Sequence, residues 1–473
     1  MSRNITFGKA LIVMALAEGI SLLSFVYPVI SLPLLLAAAL ATFFVSLRKL
    51  EWGIYILFGE LFFGSRGHLL EHGFLSLRLV VFVAVFLAWF IRGIMNYELG
   101  IGGLKSMIHD SRFMILYFLL LLVISFGIIN GYVNGNSLPN IFNDANGYLY
   151  LAILPAVLAG IRTREALGNL FKILATAVVI IAAQTLILFL WFTYGLAGVA
   201  TIYHWVIDQD IGEITGVVGS ASRIFMQSQF YALMGLFIFG LSYFEGRFKI
   251  LLTSATVFSV IFSLSRSFWL GGIAGAAFAA IMLLVYFRVG WERFTKFAVI
   301  IILIVAAEIG AFYLVSRTAG RSEAVGSRLE NPIREAAGGA RLLLLPELLT
   351  EIKQSPFLGK GFGQEVTYSS YLPDRMTPDN PEGNITSFAF EWGYLDIILK
   401  VGLIGLLVYL FFIAKIFHLG WSNLQFSISN FQTLGLLSGL VALVVLNVTT
   451  PYLNHPLGIG YLLLSLVAFR NYD

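Results

Sequence analysis

The chain has 473 residues, of which 59% are hydrophobic and only 12% are charged. Its mean hydropathy is +0.88, and apolar runs of about 18 residues or more, each long enough to cross a bilayer, recur along its whole length. The formal net charge of +4 is small and scattered, which argues against a nucleic-acid partner, and the absence of cysteine excludes disulfides and thiolate chemistry. This composition predicts an all-α, polytopic helical membrane protein of 12–14 transmembrane helices.

The hydropathy pattern predicts about fourteen spans within a single transmembrane domain, residues 1–473. The first apolar run lacks a small-residue cleavage site, so we expect a retained span and not a signal peptide. The third span and the last two have the weakest pattern. The predicted spans are residues 7–25, 30–47, 51–64, 76–95, 113–130, 145–161, 170–196, 223–244, 248–264, 267–287, 296–315, 391–416, 431–450 and 456–470.

Lysine and arginine are distributed unevenly between the loops on the two sides of the predicted bundle. One set of alternate loops is basic, whereas the opposite set contains no lysine or arginine near residues 27–29, 131–144, 198–222 and 451–455. Cytoplasmic loops of membrane proteins are enriched in positive charge. We therefore expect both termini in the cytoplasm and the second set of loops outside it.

The longest hydrophilic stretch, residues 316–390, falls on the outer side in this topology. Its charges are mixed, and an apolar pattern after Arg341 with Pro346 inside it predicts short or kinked helices. Its second half is rich in glycine and proline, which is typical of turns. Because long loops in chains with otherwise short loops are often functional, we expect this large extracytoplasmic loop to cover a site.

Four arginines, Arg66, Arg78, Arg223 and Arg266, lie at the outer ends of predicted spans. An ionisable group near hydrocarbon is costly and usually faces a cavity or a partner, and a guanidinium matches the oxygens of a phosphate. Each arginine could instead extend to the interface or pair with a carboxylate, and Arg66 fits that alternative best. Together with the long loop, the arginines favour an outward-facing site for an anionic lipid head group.

Three motifs follow one another between residues 215 and 415. The first is SRIF at residues 222–225, just before a predicted span, and the second is SLSRSFWL at residues 263–270. The third starts at Arg341, continues with SPFLGKGFG at residues 355–363, and ends with YL and VGLIG at residues 394–405. In order and spacing they resemble the O-antigen ligase and polymerase superfamily, the WaaL- and Wzy-like membrane glycosyltransferases.

The resemblance implies a GT-C-like fold in the bacterial inner membrane and glycosyl transfer outside the cytoplasm. The implied partners are an undecaprenyl-pyrophosphate-linked oligosaccharide donor, a glycan acceptor and membrane lipid, with a chain-length regulator and a flippase of the same pathway. It implies an inverting reaction without a metal or other cofactor. Arg223, Arg266 and Arg341 would bind the pyrophosphate; we assign Arg223, Arg341 and Glu391 to catalysis. Substrate binding is assigned to Arg266, Arg78, Trp392 and Tyr394.

One position departs from the family motif. The family pattern has His-Asn before x-Tyr-Leu, whereas this chain has Glu391 and Trp392 before Gly393. Glu391 could accept the proton of an attacking sugar hydroxyl, because a carboxylate can serve as a general base. It could equally bind sugar hydroxyls or pair with Arg341, and these interpretations stay open. The missing histidine favours a polymerase over a ligase.

Two patterns suggest metal sites but have simpler interpretations. HLLEH at residues 68–72 matches a zinc-protease motif, yet it lies in a short loop without an obvious third ligand. Asp208, Asp210 and Glu213 could hold a divalent cation, but a solvated loop is the favoured interpretation. We therefore expect no metal centre.

Two further features have structural interpretations. The glycines of residues 359–363 do not join a strand to a helix, so a turn is favoured over a phosphate-binding loop. Lys400 lies inside a predicted span, and we expect it to pair with Asp396, one helical turn earlier.

Two classes of function fit these patterns. The first is a membrane glycosyltransferase, with an O-antigen or exopolysaccharide polymerase favoured over a ligase that transfers glycan to lipid A core or protein. The second is a flippase or transporter of lipid-linked oligosaccharides. Transporters usually contain internal repeats and place charges near the bilayer midplane. This chain shows no matching halves and its arginines cluster at one face, so the glycosyltransferase is favoured.

Overall fold

Helices dominate the computed structural model, which describes residues 5–95, 111–216, 222–243, 246–318, 336–370, 380–424 and 430–470. The helices are α1 Phe7–Val26, α2 Ser31–Arg48, α3 Leu50–Phe63, α4 Leu77–Met95, α5 Ser111–Val133, α6 Leu138–Ala145, α7 Leu154–Gly160, α8 Arg164–Tyr194, α9 Val199–Asp208, α10 Gln229–Ile238, α11 Gly246–Phe262, α12 Arg266–Ile281, α13 Trp291–Thr318, α14 Ala336–Gln354, α15 Gly393–Leu424, α16 Asn430–Leu446 and α17 Pro456–Ala468. Short 3-10 segments at Pro28–Ile30 and Asn146–Ile153 and π-helical turns at Phe239–Tyr243 and Met282–Tyr286 adjoin them.

Three antiparallel hairpins complete the secondary structure of the described residues. They are β1 Glu71–His72 with β2 Leu75–Ser76, β3 Glu213–Gly216 with β4 Ser222–Phe225, and β5 Val366–Ser369 with β6 Asn384–Ser387. Each has only two strands, so sheet contributes almost nothing to the core. The hairpins instead shape the loops at one end of the helical bundle.

Eight helices of the described chain are long and apolar enough to cross a membrane, and four shorter apolar helices accompany them. The all-α, polytopic membrane fold is therefore confirmed, while a count of fourteen spans stays a prediction. The described part of the long loop contains α14, which continues through Pro346 as one helix of 19 residues, where short or kinked helices were expected. Residues 319–335 and 371–379 of that loop lie outside the described residues.

Two of the predicted spans have a different structure. Residues 146–160 form a 3-10 segment followed by the short helix α7, and at the start of this segment the backbone of Gly147 lies against the carbonyl of Asn454, where no side chain fits. The predicted span 223–244 begins only at Gln229, since residues 222–225 pair as strand β4. Arg223 therefore lies on a hairpin and not at the first turn of a helix, which corrects the prediction.

The core lies around short helices that are apolar on every side. In α3 and α17 almost every residue is buried, and α10 is nearly as enclosed. A helix that is hydrophobic all round needs neighbours on every face, and α4, α8, α15 and α16 provide them. By contrast, only 6% of the apolar window of α13 is buried, so this helix lies at the periphery.

Loops that alternate along the chain meet at opposite ends of the bundle. At one end, Arg78 donates to the carbonyl of Ser65, and Tyr452 donates to the carbonyl of Gln227. At the other end, Arg92 donates to the carbonyl of Leu47. The first end, which we call the site end, gathers the loops predicted to be outside the cytoplasm. The structure thus agrees with the predicted pairing of loops, while their orientation in the membrane stays a prediction.

The central helices are too short to cross the bilayer alone. At 1.5 Å per residue, the 14 residues of α3 and the 13 residues of α17 extend about 21 and 20 Å, against about 30 Å of hydrocarbon. The surrounding helices α8 and α15 have 31 and 32 residues. If the inner ends are level, the polar loops at the site end lie in a recess enclosed by protein, where irregular backbone is tolerated.

Candidate functional site

Arg223 is fixed on strand β4, opposite Thr215 of β3. Its Nε donates to the carbonyl of Ser263 at 2.9 Å, and its guanidinium lies 4.8 Å from the ring centroid of Phe225. Its Nη1 is 3.7 Å from a carboxylate oxygen of Glu213. Only 17% of the side chain is exposed, so the contacts set the direction of the guanidinium.

The hairpin that carries Arg223 is anchored in the core by Gln229. The side-chain oxygen of this buried residue accepts the N–H of Met226, and its Nε2 donates to Thr185 on α8 and to the carbonyl of Ile224. All of these partners are fixed by helices or by the strand itself. The position of Arg223 is consequently part of the folded core and not a property of a free loop.

Arg266 lies on the other side of the turn that Arg223 contacts. Helix α11 ends at Phe262 and α12 begins at Arg266, with Leu264 between them at a φ of 48°. The hydroxyl of Ser263 accepts the N–H of Ser265, which closes this tight turn. A left-handed conformation costs a residue with a side chain roughly 1–2 kcal/mol, so packing must hold the turn. The turn that Arg223 contacts through Ser263 therefore leads directly into Arg266, the first residue of α12.

Arg66 belongs to the same charged group. It pairs with Asp210 at 2.8 Å and with Glu213 at 3.3 Å, so Glu213 lies between Arg66 and Arg223. This agrees with the prediction that Arg66 pairs with nearby carboxylates. Two of the three acidic residues of the loop, Asp210 and Glu213, thus contact arginine. The third, Asp208, lies beside His204 at 3.3 Å.

Arg78, at the start of α4, is more deeply buried than Arg66 and Arg223. Its side chain forms two hydrogen bonds of 3.0 Å to the carboxylate of Glu60 and one of 2.8 Å to the carbonyl of Ser65. Only 5% of it is exposed, and its Nη1 has no hydrogen-bond partner among the described residues. Two of the three guanidinium nitrogens therefore bind Glu60 and Ser65, and Nη1 has no partner among the described residues. Its assignment to substrate binding stays a prediction.

His455 and Tyr452 line the same region and were not singled out from the sequence. Burial lowers the pKa of His455 well below its usual range, and the nearby Arg78, Arg66 and His68 lower it further. The imidazole is therefore neutral, and its Nδ1 accepts the N–H of Leu457 at the start of α17. A lone histidine before a proline gives little signal in a sequence, because only the fold places it beside arginines.

Arg341 and Glu391 form an ion pair across the long loop. Arg341 lies on α14 with 28% of its side chain exposed, and the Glu391 carboxylate, 51% exposed, precedes α15. Trp392 donates its indole N–H to the carbonyl of Arg341 at 3.0 Å. A small apolar cluster holds α14 in place; it consists of Leu344, Leu348, Val366, Phe390 and Leu399. Of the alternatives for Glu391, the structure contains the pairing with Arg341.

Tyr394 is the remaining predicted substrate-binding residue. Its hydroxyl donates to the carbonyl of Val444 on α16 at 2.7 Å, and the ring is half-buried. Trp392 next to it packs partly against the apolar cluster beneath α14. Both aromatic residues lie at the site end, but their polar atoms are engaged by backbone carbonyls. Stacking of their rings on sugars stays a prediction.

The glycine loop, residues 355–363, inserts into a break in α15. Gly402 has a φ of 71°, which interrupts the helix and leaves backbone groups without helical partners. The loop supplies those partners: Lys360 and Gly361 donate to the carbonyls of Leu399 and Lys400, and Leu403 donates to Pro356. The VGLIG motif was expected to enter a span; it lies at the break inside that helix.

Helix α5 and the segment after it hold the other side of the glycine loop. Three asparagines donate to its backbone carbonyls: Asn130 to Gly359, Asn134 to Lys360 and Asn136 to Phe362. Gly361 lies directly against the backbone of Gly131, where no side chain fits. The predicted turn is confirmed, and its contacts attach the long loop to the bundle. Asparagines spaced through residues 130–136 were the sequence signal for this contact.

Lys400 is buried between two carboxylates. The predicted pairing with Asp396 is confirmed at 2.5 Å, and Asp144 from the end of α6 pairs with the same ammonium. Lys400 has 1% of its side chain exposed, Asp144 7% and Asp396 4%. The second oxygen of Asp144 accepts the N–H of Gly363, and Asn454 donates to Asp396. The sequence gave no indication of Asp144.

The two halves of the site lie on either side of the end of α16. On one side, Ser267, next to Arg266, hydrogen-bonds Thr449 at 3.0 Å and Thr450 at 2.8 Å. On the other, Gly393, two residues after Glu391, packs against Asn447. The structure therefore brings Arg223 and Arg266 to one turn, Arg341 and Glu391 to one ion pair, and both groups to the same end of the bundle.

The HLLEH segment does not form the helix that the zinc motif requires. Glu71 and His72 lie on strand β1, the Nδ1 of His68 is 2.6 Å from Glu71, and the Nδ1 of His72 is 3.0 Å from the hydroxyl of Ser31. The two histidine rings are therefore engaged by different partners. Over the described residues, no group of three or more His, Asp or Glu side chains has the arrangement of a metal site.

Residues 250–410 match a protein-family model described as O-antigen ligase. A comparison with curated proteins gave no match. The matched segment contains Arg266, Arg341, Glu391 and the glycine loop, and it begins in α11, one helix after the strand that carries Arg223. Over residues 250–410, the resemblance to the O-antigen ligase and polymerase superfamily of membrane glycosyltransferases is therefore confirmed.

Proposed function

We propose that the protein transfers or polymerises undecaprenyl-pyrophosphate-linked glycan repeat units outside the cytoplasm of a bacterium. The family match supports a membrane glycosyltransferase of the O-antigen ligase and polymerase type. One observation carries the finer proposal: the guanidinium group of Arg223 contacts the turn that precedes Arg266, at the bundle end that also holds Arg341 and Glu391. Such a site suits an anionic leaving group beside an acceptor hydroxyl.

The arginines would hold the pyrophosphate of the donor. A guanidinium cannot lose its charge at physiological pH and presents forked donors to phosphate oxygens. As the bond between the anomeric carbon and the pyrophosphate oxygen breaks, negative charge builds up on that oxygen, and fixed cations stabilise it. Arg223 is held by the folded core, so its guanidinium needs little rearrangement during the reaction.

Glu391 would accept the proton of the attacking hydroxyl. The acceptor oxygen forms a bond to the anomeric carbon from the side opposite the leaving pyrophosphate, which inverts that centre, and the hydroxyl proton passes to the carboxylate. Without substrate, Arg341 neutralises Glu391. A bound pyrophosphate would attract Arg341 and leave the carboxylate available as a base, which couples donor binding to acceptor activation.

The polyprenyl tail of the donor needs an apolar path into the bilayer. A cavity of about 460 Å³ lies between α1, α2, α3, α4 and α8, lined mostly by apolar side chains such as Met14 and Val81. Glu60, the partner of Arg78, forms part of its wall. We place part of the tail there, because Glu60 connects the wall of this apolar cavity to Arg78 at the site end.

Purified protein with a lipid-linked repeat unit tests the proposal. We expect Arg223→Ala and Arg341→Ala each to lower kcat by about 10²–10³, the effect of removing one fixed donor to a developing anion. Product would be measured as glycan joined to a second lipid-linked unit. Arg164→Ala is the matched control, since this exposed arginine lies at the opposite end of the bundle. Full activity of both site variants would overturn the proposal.

The acceptor distinguishes the alternatives. A polymerase extends a second lipid-linked glycan, whereas a ligase transfers the glycan to lipid A core or to protein, so the two acceptors are offered in competition. We expect the lipid-linked acceptor to be used, because Glu391 and Trp392 replace the His-Asn of the ligase-like motif. A flippase would form no glycosidic bond, so product from detergent-purified protein excludes it.

A further inference from the structure

Lys400 connects the long loop to the bundle. Its ammonium contacts Asp396 on its own helix and Asp144 at the end of α6. Asp144 also accepts the N–H of Gly363, the last residue of the glycine loop, at 2.8 Å. The backbone carbonyl of Lys400 accepts the N–H of Gly361 at 3.0 Å. One buried residue thus joins α15, α6 and both ends of the loop's final turn.

The two proposed reactive residues are attached to the elements that meet at Lys400. Glu391 precedes α15, and Lys400 lies two helical turns further along that helix. Arg341 lies on α14, whose last residue, Gln354, leads directly into the glycine loop. The attachment of the glycine loop to α15 therefore fixes the C-terminal end of α14, while the apolar cluster with Phe390 and Leu399 packs against its middle. The ion pair between Arg341 and Glu391 is itself largely exposed and contributes only about 0–1 kcal/mol.

We propose, on the basis of the function proposed above, that Lys400 is a positioning residue that sets the place of α14, and with it Arg341, relative to Glu391. The buried position excludes contact with substrate: 1% of the side chain is exposed and both carboxylates surround it. The ammonium of Lys400 holds the carboxylate of Asp144, and this carboxylate in turn accepts the N–H of Gly363.

A neutral triple variant, Asp144→Asn with Asp396→Asn and Lys400→Met, tests the proposal without leaving a buried charge unpaired. Both asparagines keep an oxygen for the N–H of Gly363 and for Asn454, so the variant should fold. Single-residue changes here would confuse positioning with unfolding. Retention of a sharp thermal transition in detergent is the check on folding.

The chain has no cysteine, which allows two labels to be introduced cleanly. Spin labels at Glu347→Cys on α14 and Val448→Cys beyond α16 report the position of the long loop relative to the core. We expect the triple variant to widen the distance distribution at least twofold. An unchanged distribution would overturn the proposal, whatever the activity of the variant.

Kinetics supply a second readout. In protein without labels, the triple variant should lower kcat at least tenfold, because Arg341 and Glu391 lose their relative position. The KM for the lipid-linked donor should rise by a smaller factor than kcat falls, because Arg341 is displaced while Arg223 and Arg266 are untouched. An unchanged kcat would also overturn the proposal. If the wild-type protein made no product while the labels moved as expected, the proposed function would fail and the positioning of α14 would stand.

Lys360→Met is the matched control. This lysine lies in the glycine loop, but its side chain contacts Glu351 and Gln354 on the loop side and not α15. Its removal should leave the label distance and kcat unchanged. A broadened distribution in this variant would show that any lost charge loosens the loop, and would overturn the specific assignment to Lys400.

Discussion

The two halves of the site are held in different ways. Arg223 and Arg78 are held by buried partners, a core carbonyl for one and the Glu60 carboxylate for the other. Arg341 and Glu391 are partly exposed and contact each other across the long loop. That loop is attached to the bundle elsewhere, by hydrogen bonds between the glycine loop and the backbone around Lys400. We therefore propose that the half with Arg223 and Arg78, which we call the donor half, is preformed by the fold. The half with Arg341 and Glu391, which we call the acceptor half, is assembled when the long loop docks.

The largest expected effect is on the acceptor half. Glu391→Gln removes the proposed base, and kcat should fall by about 10²–10⁴. Its stability should change by at most about 1 kcal/mol, because the pair with Arg341 is largely exposed. Steady-state rates and thermal unfolding of the same preparation measure both quantities. A rate within threefold of wild type would remove Glu391 from the chemistry.

In the donor half, loss of a charge partner should lower the stability of the protein more than Glu391→Gln does. Glu60→Gln leaves the Arg78 guanidinium buried without its charge partner, and we expect a loss of about 3–5 kcal/mol of stability. Glu292→Gln is the matched control, because the pair of Glu292 with Lys296 is exposed, and about 0.5 kcal/mol or less is expected. Equal effects in denaturant unfolding would contradict the distinction between the two halves.

The attachment of the long loop to the bundle depends on close backbone packing as well as on ion pairs. Gly361→Ala places a methyl group against the backbone of Gly131 at a φ of 86°, so we expect a loss of about 2–4 kcal/mol in the stability of the loop's attachment. Protease cleavage within residues 336–370 would measure it. Gly310→Ala, with open space around it on α13, should leave cleavage unchanged.

The smallest effect is a dependence of stability on pH. His455 has a pKa lowered from 6.5 in the folded protein, so the unfolded chain binds the extra proton first as pH falls. The contribution of His455 to stability should be constant above about pH 6.5 and decline below it, by up to about 1.4 kcal/mol per pH unit. His455→Asn keeps an acceptor for Leu457 and should flatten this part of the profile. An unchanged slope in that variant would assign the proton to another group.

Parts of the site were predictable because their signals are local. The motif around Arg266 and the glycines of residues 355–363 appear as short patterns, and Lys400 pairs with Asp396 within one helical turn. Asp144 and His455 gave no such signal. Asp144 contacts Lys400, 256 positions away, and His455 lies near Arg66 and Arg78, which belong to the first hundred residues, so no local pattern encodes either neighbourhood.

The sequence by itself determined the helical membrane fold, most helix positions and the resemblance over residues 250–410 to the O-antigen ligase family, because hydropathy and short motifs act over single elements. Only the tertiary structure decided that Arg223 lies on a hairpin, that Arg78 is buried against Glu60, and that the VGLIG motif breaks a helix which the glycine loop completes. These features depend on buried polar groups that must find hydrogen-bond partners, and the partners come from other elements of the chain.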